Sequence, residues 1–183
     1  MQLLFPGSPD PETYLQREAH RQSAPPPSCP HCKGERTWEA LGYYYRGITD
    51  RSAAKILVLP IRRFRCRRCG RTVSLLPSFA QPYRLVRNET VERYFCGRHE
   101  NIDVVRWQYL LKRYWQRFEN GLPKLSRIKE LVLPSFSPGE ASFELWERLL
   151  ERFGELSSMT LHLVGTFQIT LFGSYRCHRP NPP

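Results

Sequence analysis

The sequence has 183 residues, of which 28 are Lys or Arg and 17 are Asp or Glu, giving a net charge of +11. A compact chain of this length buries about 70% of the surface that its unfolded form exposes, which is enough for a hydrophobic core. No apolar run reaches the roughly 18 residues of a membrane span. The N-terminus lacks the regions of a secretory signal, and six cysteines are too few for a disulfide scaffold. We therefore expect a cytoplasmic chain without membrane contact.

The charge is unevenly distributed along the chain. Residues 29–121 carry 19 basic and 8 acidic groups, which is the whole of the net +11, whereas the segments on either side are close to neutral. A local basic field of this kind attracts polyanions, of which nucleic acid is the commonest. This distribution predicts a nucleic acid as the partner, with an anionic membrane surface as the weaker alternative. A DNA partner would imply a nucleoid-associated location.

In chain order, residues 1–28 are predicted to be a flexible tail with a short helix within Pro11–Arg21. Residues 29–82 are predicted to form a small β module, because extended runs rich in aromatic and branched residues alternate with turn signals. The predicted strands are Thr37–Ile48, Lys55–Arg65 and Thr72–Leu76.

Residues 83–121 are predicted to form two helices. Asn88 can cap a helix that runs to Phe95 or Cys96, and Gly97 can end it. Asp103 can cap a second helix to about Glu119, whose apolar residues recur every three to four positions. Gly121 and Pro123 are expected to end the pattern.

Residues 122–183 are predicted to hold one short helix at 124–132, a longer helix and a strand. The longer helix starts at Ser137-Pro138-Gly139-Glu140, a capping signal, and ends at Gly154. The strict alternation of Met159–Leu171 predicts a strand, or a hairpin folded at Gly165. The fold class expected overall is α+β.

Two cysteine pairs are the sharpest chemical signal in the chain. Cys29 and Cys32, like Cys66 and Cys69, are separated by two residues, so that one tight turn can present both sulfurs to one ion. A glycine shortly after each pair, Gly34 or Gly70, is expected to close the turn with a positive φ. Four thiolates form the closed tetrahedral set of a structural Zn²⁺ site, with iron as the minor alternative. The 33 residues between the pairs suit a zinc ribbon better than a compact finger. We expect one structural Zn²⁺ at this site.

A second set of metal-binding residue types is less informative. Cys96, His99, Cys177 and His178 could form another site, but nothing in the sequence brings them together, and a buried thiol with exposed histidines is the favoured interpretation. His31 lies inside the first pair and is expected to be a spectator.

A run of arginines surrounds the second cysteine pair. Six Arg fall within ten residues, with no acidic residue among them. A Zn²⁺ ion with four thiolates has a net charge of about −2, so two of these arginines could merely neutralise it. The surplus favours phosphate contacts, for which the guanidinium offers a bidentate fork. The candidate residues are Arg62, Arg63, Arg65, Arg67, Arg68 and Arg71.

The two helices after the β module can form a helix-turn-helix-like unit. A groove-reading helix uses residues near its N-terminus for base edges, which here indicates Arg106 and Gln108. Lys112, Arg113 and Arg117 would lie nearer the backbone phosphates. The alternative is an ordinary amphipathic helix with a solvated basic face.

This arrangement resembles a known group. The segment Gly42-Tyr43-Tyr44-Tyr45-Arg46 between the cysteine pairs, the arginine-flanked second pair and Leu75-Leu76-Pro77-Ser78-Phe79 are similar to the N-terminal zinc ribbon of bacterial insertion-sequence transposases. They are equally similar to a stand-alone prokaryotic zinc-ribbon domain of unknown function. In such transposases a helix-turn-helix follows the ribbon, and both bind the element's ends. The resemblance covers about residues 29–120 and implies Cys29, Cys32, Cys66 and Cys69 as ligands.

The chain departs from a complete transposase, which needs three acidic residues on a ribonuclease-H-like core. It has only three aspartates, Asp10, Asp50 and Asp103, none in the C-terminal third. We therefore expect a non-enzymatic DNA-binding piece or mobile-element accessory, which could act with a catalytic transposase. The alternative is a ribbon that docks another protein or RNA. The sequence does not specify the DNA site or the oligomeric state.

Overall fold

The computed structural model describes residues 2–5, 7–82, 84–98, 103–133 and 141–173, and it confirms a mixed α+β fold. The strands are β1 Gln2–Phe5, β2 Trp38–Thr49, β3 Ile56–Cys66 and β4 Thr72–Pro77. The helices are α1 Pro11–Gln16, α2 Ala19–Gln22, α3 Asn88–Phe95, α4 Val104–Ser126, α5 Lys129–Val132, α6 Ser142–Phe153 and α7 Leu156–Phe167. Within these ranges, no helix has both the length and the apolar composition that crossing a membrane requires.

The four strands form one sheet in the order β1-β4-β3-β2. Strands β2 and β3 form a long antiparallel hairpin, in which Trp38 lies opposite Cys66 at one end and Thr49 opposite Ile56 at the other. All three strands predicted for the β module are confirmed, with no boundary shifted by more than one residue.

The N-terminal segment belongs to the sheet. Its description as a flexible tail is corrected at Gln2–Phe5, because β1 runs parallel to β4 and buries Leu3 completely. The predicted helix within Pro11–Arg21 is present as α1 and α2. Buried Arg87 ties this segment to α3, since its guanidinium pairs at 3.0 Å with Glu12 and with Glu89.

Helix α4 is longer than predicted. It runs through Gly121 and Pro123 to Ser126, although a proline inside a helix removes one hydrogen bond and crowds the preceding turn. Leu125, beyond the proline, is buried in the helical core. We attribute the continuation to this packing, which offsets the local cost. The Asp103 cap is confirmed, since its side chain accepts a hydrogen bond from the Arg106 amide.

Helix α6 confirms the predicted end of a helix at Gly154 but begins at Ser142; the predicted start signal at 137–140 lies outside the described residues. The strand predicted at Met159–Leu171 is wrong, because residues 156–167 form α7. Both polar and apolar positions are buried there: Asn88 donates to the Ser157 hydroxyl at 3.0 Å and Gln81 to the Thr160 hydroxyl at 2.6 Å. The alternation in the sequence was misleading because polar residues of this segment are buried together with apolar ones on one face of a helix.

Two of the three clusters of buried hydrophobic residues form the main cores of the described chain, and the third, smallest cluster consists of Leu3, Phe64, Val73 and Leu75. The larger joins α3, α4, α6 and α7 around Trp146, whose ring makes edge contacts with Phe95 and Phe118. The smaller packs α1 and α2 against one face of the sheet, around Leu59 and Ile61. The sheet therefore has a core of its own in addition to any stabilisation at the cysteine pairs.

Glu92 links α3 to the start of α7 and makes stability depend on pH. Its carboxylate accepts the Leu156 amide at 2.7 Å, yet burial raises its pKa from 4.5 to about 7. Because the folded state holds this proton more tightly, its contribution to stability is full below pH 4.5 and is lost as pH rises through 7.

We expect Glu92→Gln, which keeps the acceptor without the charge, to remove this dependence. The free energy of unfolding of the variant, measured by urea unfolding of the metal-loaded protein, should increase relative to that of the wild type by about 1 kcal/mol from pH 6 to pH 8. Glu151→Gln on the exposed side of α6 is the matched control. An advantage of Glu92→Gln that stays constant with pH would contradict the assignment.

Candidate metal centre and basic surface

The four predicted cysteines lie together at one end of the sheet. Their sulfurs are all within 4.8 Å of one another. The Sγ atoms of Cys29 and Cys69 are 3.7 Å apart, and those of Cys32 and Cys66 are 3.6 Å apart. A tetrahedral ion with thiolate bonds of about 2.3 Å places its sulfurs about 3.8 Å apart. The cluster could therefore hold a metal ion such as zinc.

Two turns with the same backbone hydrogen bonds present the thiols. In the first, the carbonyl of Cys29 accepts the amide of Lys33, and the amide of Cys29 donates to Gly34. In the second, Cys66 makes the equivalent bonds to Gly70 and Arg71. We call these two turns the two knuckles (residues 29–34 and 66–71). Each knuckle provides half of the cysteine cluster.

The two knuckles use glycine differently. Gly70 has φ 72°, as the sequence predicts for the residue that closes the turn. In the first knuckle Lys33 takes the positive φ of 58° instead, and Gly34 is required for space. A Cβ on Gly34 would lie 3.1 Å from the Arg68 side chain. Arg68 of the second knuckle thus packs closely on the first.

Thr37 joins the knuckles and was not predicted as part of the site. Its hydroxyl lies 3.2 Å from the Cys66 sulfur, and its carbonyl accepts the Arg67 amide at 2.6 Å. Burial raises the pKa of the Cys66 thiol, but the hydrogen bond with Thr37 and those from the backbone outweigh it and lower the pKa to about 6. The thiolate needed for metal binding is therefore favoured at Cys66.

The other candidate ligands do not join this cluster among the described residues. His31 contacts the Arg71 guanidinium through its Nε2 atom. Cys96 is half-buried just after α3. His99, Cys177 and His178 lie outside the described residues, so the second metal site stays untested.

The arginines around the second knuckle fall into two groups. Arg62 and Arg63 are half-buried on β3 and stack on aromatic rings, Arg62 at 4.9 Å from the centroid of Tyr43 and Arg63 at 6.0 Å from that of Tyr44. The other four are exposed to solvent: Arg65, Arg67, Arg68 and Arg71.

The exposed group keeps its charge unneutralised by nearby acids. In the part of the chain that the structure describes, Arg65, Arg67 and Arg68 have no carboxylate oxygen within 4.0 Å, although Glu39 lies opposite Arg65 in the strand register. We call these three residues, with Arg71, the knuckle arginines. They form a cationic rim beside the cysteine cluster.

The candidate residues on α4 lie elsewhere. The Arg106 guanidinium donates to the Ala54 carbonyl at 2.8 Å, which fixes it on the turn between β2 and β3. Gln108, Lys112 and Arg113 are exposed, and Arg117 is half-buried further along the helix.

The two sets of basic residues are far apart. Trp107 also donates to the Ala53 carbonyl, so the start of α4 lies at the β2–β3 turn, whereas Cys66 ends β3 at the opposite end of the hairpin. Ten residues of strand separate Ile56 from Cys66, which corresponds to about 30 Å. The sequence-predicted residues therefore form two separate surfaces and not one patch.

Residues 29–114 match the model of a protein family described as a domain of unknown function, DUF6431. The matched segment contains both knuckles, strands β2 to β4, helix α3 and the first half of α4. Neither the curated proteins nor the solved structures include a match to this chain.

Proposed function

We propose that this chain is a zinc-ribbon DNA-binding protein, a transposase-derived piece or mobile-element accessory without a catalytic core. The observation that carries the proposal is the cluster of four cysteine sulfurs within 4.8 Å, bordered by exposed arginines. The resemblance of this segment to transposase zinc ribbons supports the mobile-element origin. The proposed ion is Zn²⁺, since four thiolates in a tetrahedron are its preferred structural set.

In this proposal zinc has a structural role. Four thiolates leave no open position for a substrate, so the ion holds the knuckles together and presents the knuckle arginines. A tetrathiolate zinc has a net charge of about −2. Three of the knuckle arginines lack a carboxylate partner among the described residues, and their flexible forks suit the phosphates of a duplex.

Helices α3 and α4 would provide a second contact, as in a helix-turn-helix. Because Arg106 is held by the Ala54 carbonyl, exposed Gln108, Lys112 and Arg113 are the better candidates for contacts on α4. We propose that they meet the DNA separately from the knuckle arginines.

Each of the three aspartates has a local structural use. Asp10 accepts the Thr13 amide at 2.7 Å at the start of α1, and Asp103 caps α4. Asp50 accepts the Lys55 amide at 3.2 Å within the β2–β3 turn.

A titration of the zinc-loaded chain with a mixed-sequence 30-bp DNA duplex at increasing salt tests the proposal. If four arginines contact phosphates, the dissociation constant should rise about 100-fold between 50 and 200 mM salt, because each contact releases counterions. Binding to duplex DNA that is absent, or that does not weaken with salt, would contradict the proposal.

A protein- or RNA-docking ribbon is the second candidate. It is favoured by apolar exposure on the hairpin, where Tyr45 is 73% and Val58 57% exposed on strands that pair with each other. Association with RNA in preference to the duplex, or with a protein at all salt concentrations, would favour this alternative.

A further inference from the structure

A cationic pocket lies between the second half of α4 and the segment that follows α7. Its volume is about 350 Å³, at the small end of the range for ligand sites. The residues that line it and carry the argument are Arg84, Arg117, Asn120, Gly121, Lys124 and Thr170. No acidic residue is among the described lining residues.

Two of the three basic residues that line the pocket lie on one face of a helix. Arg117 and Lys124 are separated by two helical turns and therefore lie on the same face of α4, with Asn120 and Gly121 between them. In the described part of the chain, neither cation has a carboxylate oxygen within 4.0 Å. The helix thus offers an anion the guanidinium of Arg117, the ammonium of Lys124 and the side-chain amide of Asn120.

Arg84 forms the opposite wall and is held in place. Its guanidinium donates to the Phe172 carbonyl and lies 5.6 Å from the centroid of the Tyr114 ring. A fixed guanidinium provides positive charge without the entropy loss of ordering a free side chain on binding. Thr170, which also lines the pocket, donates its hydroxyl to the Gly173 carbonyl.

Gly121 has no conformational reason to be glycine. It lies inside α4 with no positive φ, and an added Cβ would meet its nearest neighbour, the Leu171 carbonyl oxygen, at an ordinary 3.6 Å. Glycine inside a helix costs about 1 kcal/mol relative to alanine. A role in keeping the floor of the pocket open explains why the smaller residue is present.

We propose that this pocket binds the phosphate group of a small phosphomonoester, such as a nucleoside monophosphate. Arg117 and Lys124 bind the phosphate, Asn120 donates a further hydrogen bond, and the remaining volume accepts the organic group. The pocket is concave and separate from the knuckle arginines, so this site does not rest on the DNA-binding proposal.

Calorimetric titration of the zinc-loaded full chain with adenosine 5′-monophosphate, and separately with inorganic phosphate, tests the site. We expect one nucleotide per chain, bound more tightly than inorganic phosphate. The variant Arg117→Gln/Lys124→Gln should weaken binding at least tenfold, whereas Arg17→Gln/Arg152→Gln, with the same charge loss at exposed positions outside both the pocket and the proposed DNA contacts, should change it less than twofold.

The variant Gly121→Ala tests the pocket without changing the charge of the protein. It should raise the melting temperature and weaken nucleotide binding together, since the methyl group favours the helix and occupies the floor. Circular dichroism and zinc content establish that each variant is folded.

Three results would overturn the proposal. The first is that neither probe shows saturable binding. The second is that the two charge variants weaken nucleotide binding equally. The third is that inorganic phosphate binds as tightly as the nucleotide and is displaced by a 30-bp duplex. The last result would assign the pocket to a DNA phosphate.

Discussion

Replacing Cys66 by serine is expected to release the metal ion and to unfold the knuckle end of the sheet. Cys66 supplies one of four sulfurs, ends β3 and contacts Thr37. Serine is a much poorer zinc ligand because its hydroxyl does not ionise at neutral pH. Structural zinc sites contribute on the order of 10 kcal/mol to the folding of small domains, so the knuckles should not remain ordered without the ion.

The loss should be local. The sheet core around Leu59 and Ile61 and the helical core around Trp146 do not involve the four clustered cysteines. Hydrogen exchange should therefore accelerate at the amides of Cys29, Cys66 and Arg67, which bond between or within the knuckles. Amides of α4 and α7 should keep their protection.

Zinc content after dialysis, together with exchange measured by mass spectrometry, checks this prediction. Cys96→Ser is the matched control, because Cys96 is a half-buried thiol after α3 that is not part of the cluster. It should retain one zinc per chain. Full zinc content in Cys66→Ser would show that the ion is not held by these four sulfurs.

The metal centre could be predicted from sequence because its geometry is set locally. Two residues between cysteines and a turn-forming residue after them determine each knuckle, and Gly70 behaves as expected. What brings the knuckles together is the pairing of β2 with β3, two strands that were predicted from their aromatic and branched residues. Thr37 was missed because its role appears only once both strands are in register.

Elements that depend on distant contacts were predicted less well. Strand β1 has four residues, too few for a pattern, and its partner β4 lies about 70 positions away. Helix α7 was predicted as a strand because apolar residues alternate along Met159–Leu171. The burial of its polar residues Ser157 and Thr160 depends on Asn88, at the start of α3, and on Gln81, between β4 and α3. In both β1 and α7, contacts with residues distant in the sequence determine the secondary structure, and local sequence patterns do not.

The placement of the basic residues shows the same limit. The alternation of β3 predicts that arginines face both sides of the sheet, but not that Arg62 stacks on Tyr43. Similarly, the position of Arg106 near a helix N-terminus suggested base contacts. Its bond to Ala54 follows from α4 packing against a turn some 50 residues earlier. The sequence shows which residues are positively charged, but only the fold shows which of these side chains are free to contact a ligand.

Replacing Arg65, Arg67 and Arg68 together by glutamine is expected to lower DNA affinity about 100-fold at 100 mM salt. Each lost phosphate contact removes the release of roughly one counterion, so the slope of log K against log salt should become less negative by nearly 3. The loss should be similar for all sequences, because phosphates are common to them. Arg62 and Arg63 are left in place, since their stacking on aromatic rings supports the sheet.

Fluorescence anisotropy on two unrelated 30-bp duplexes, with zinc content measured in parallel, checks this prediction. Arg17→Gln/Arg127→Gln/Arg152→Gln removes the same charge from exposed positions away from the knuckles and should weaken binding far less. If both triple variants lose affinity equally, the long-range field of the protein attracts DNA and the knuckle arginines make no contact. If the first variant loses zinc, those arginines neutralise the thiolates. Loss of affinity with zinc retained is the outcome that a phosphate-binding rim requires.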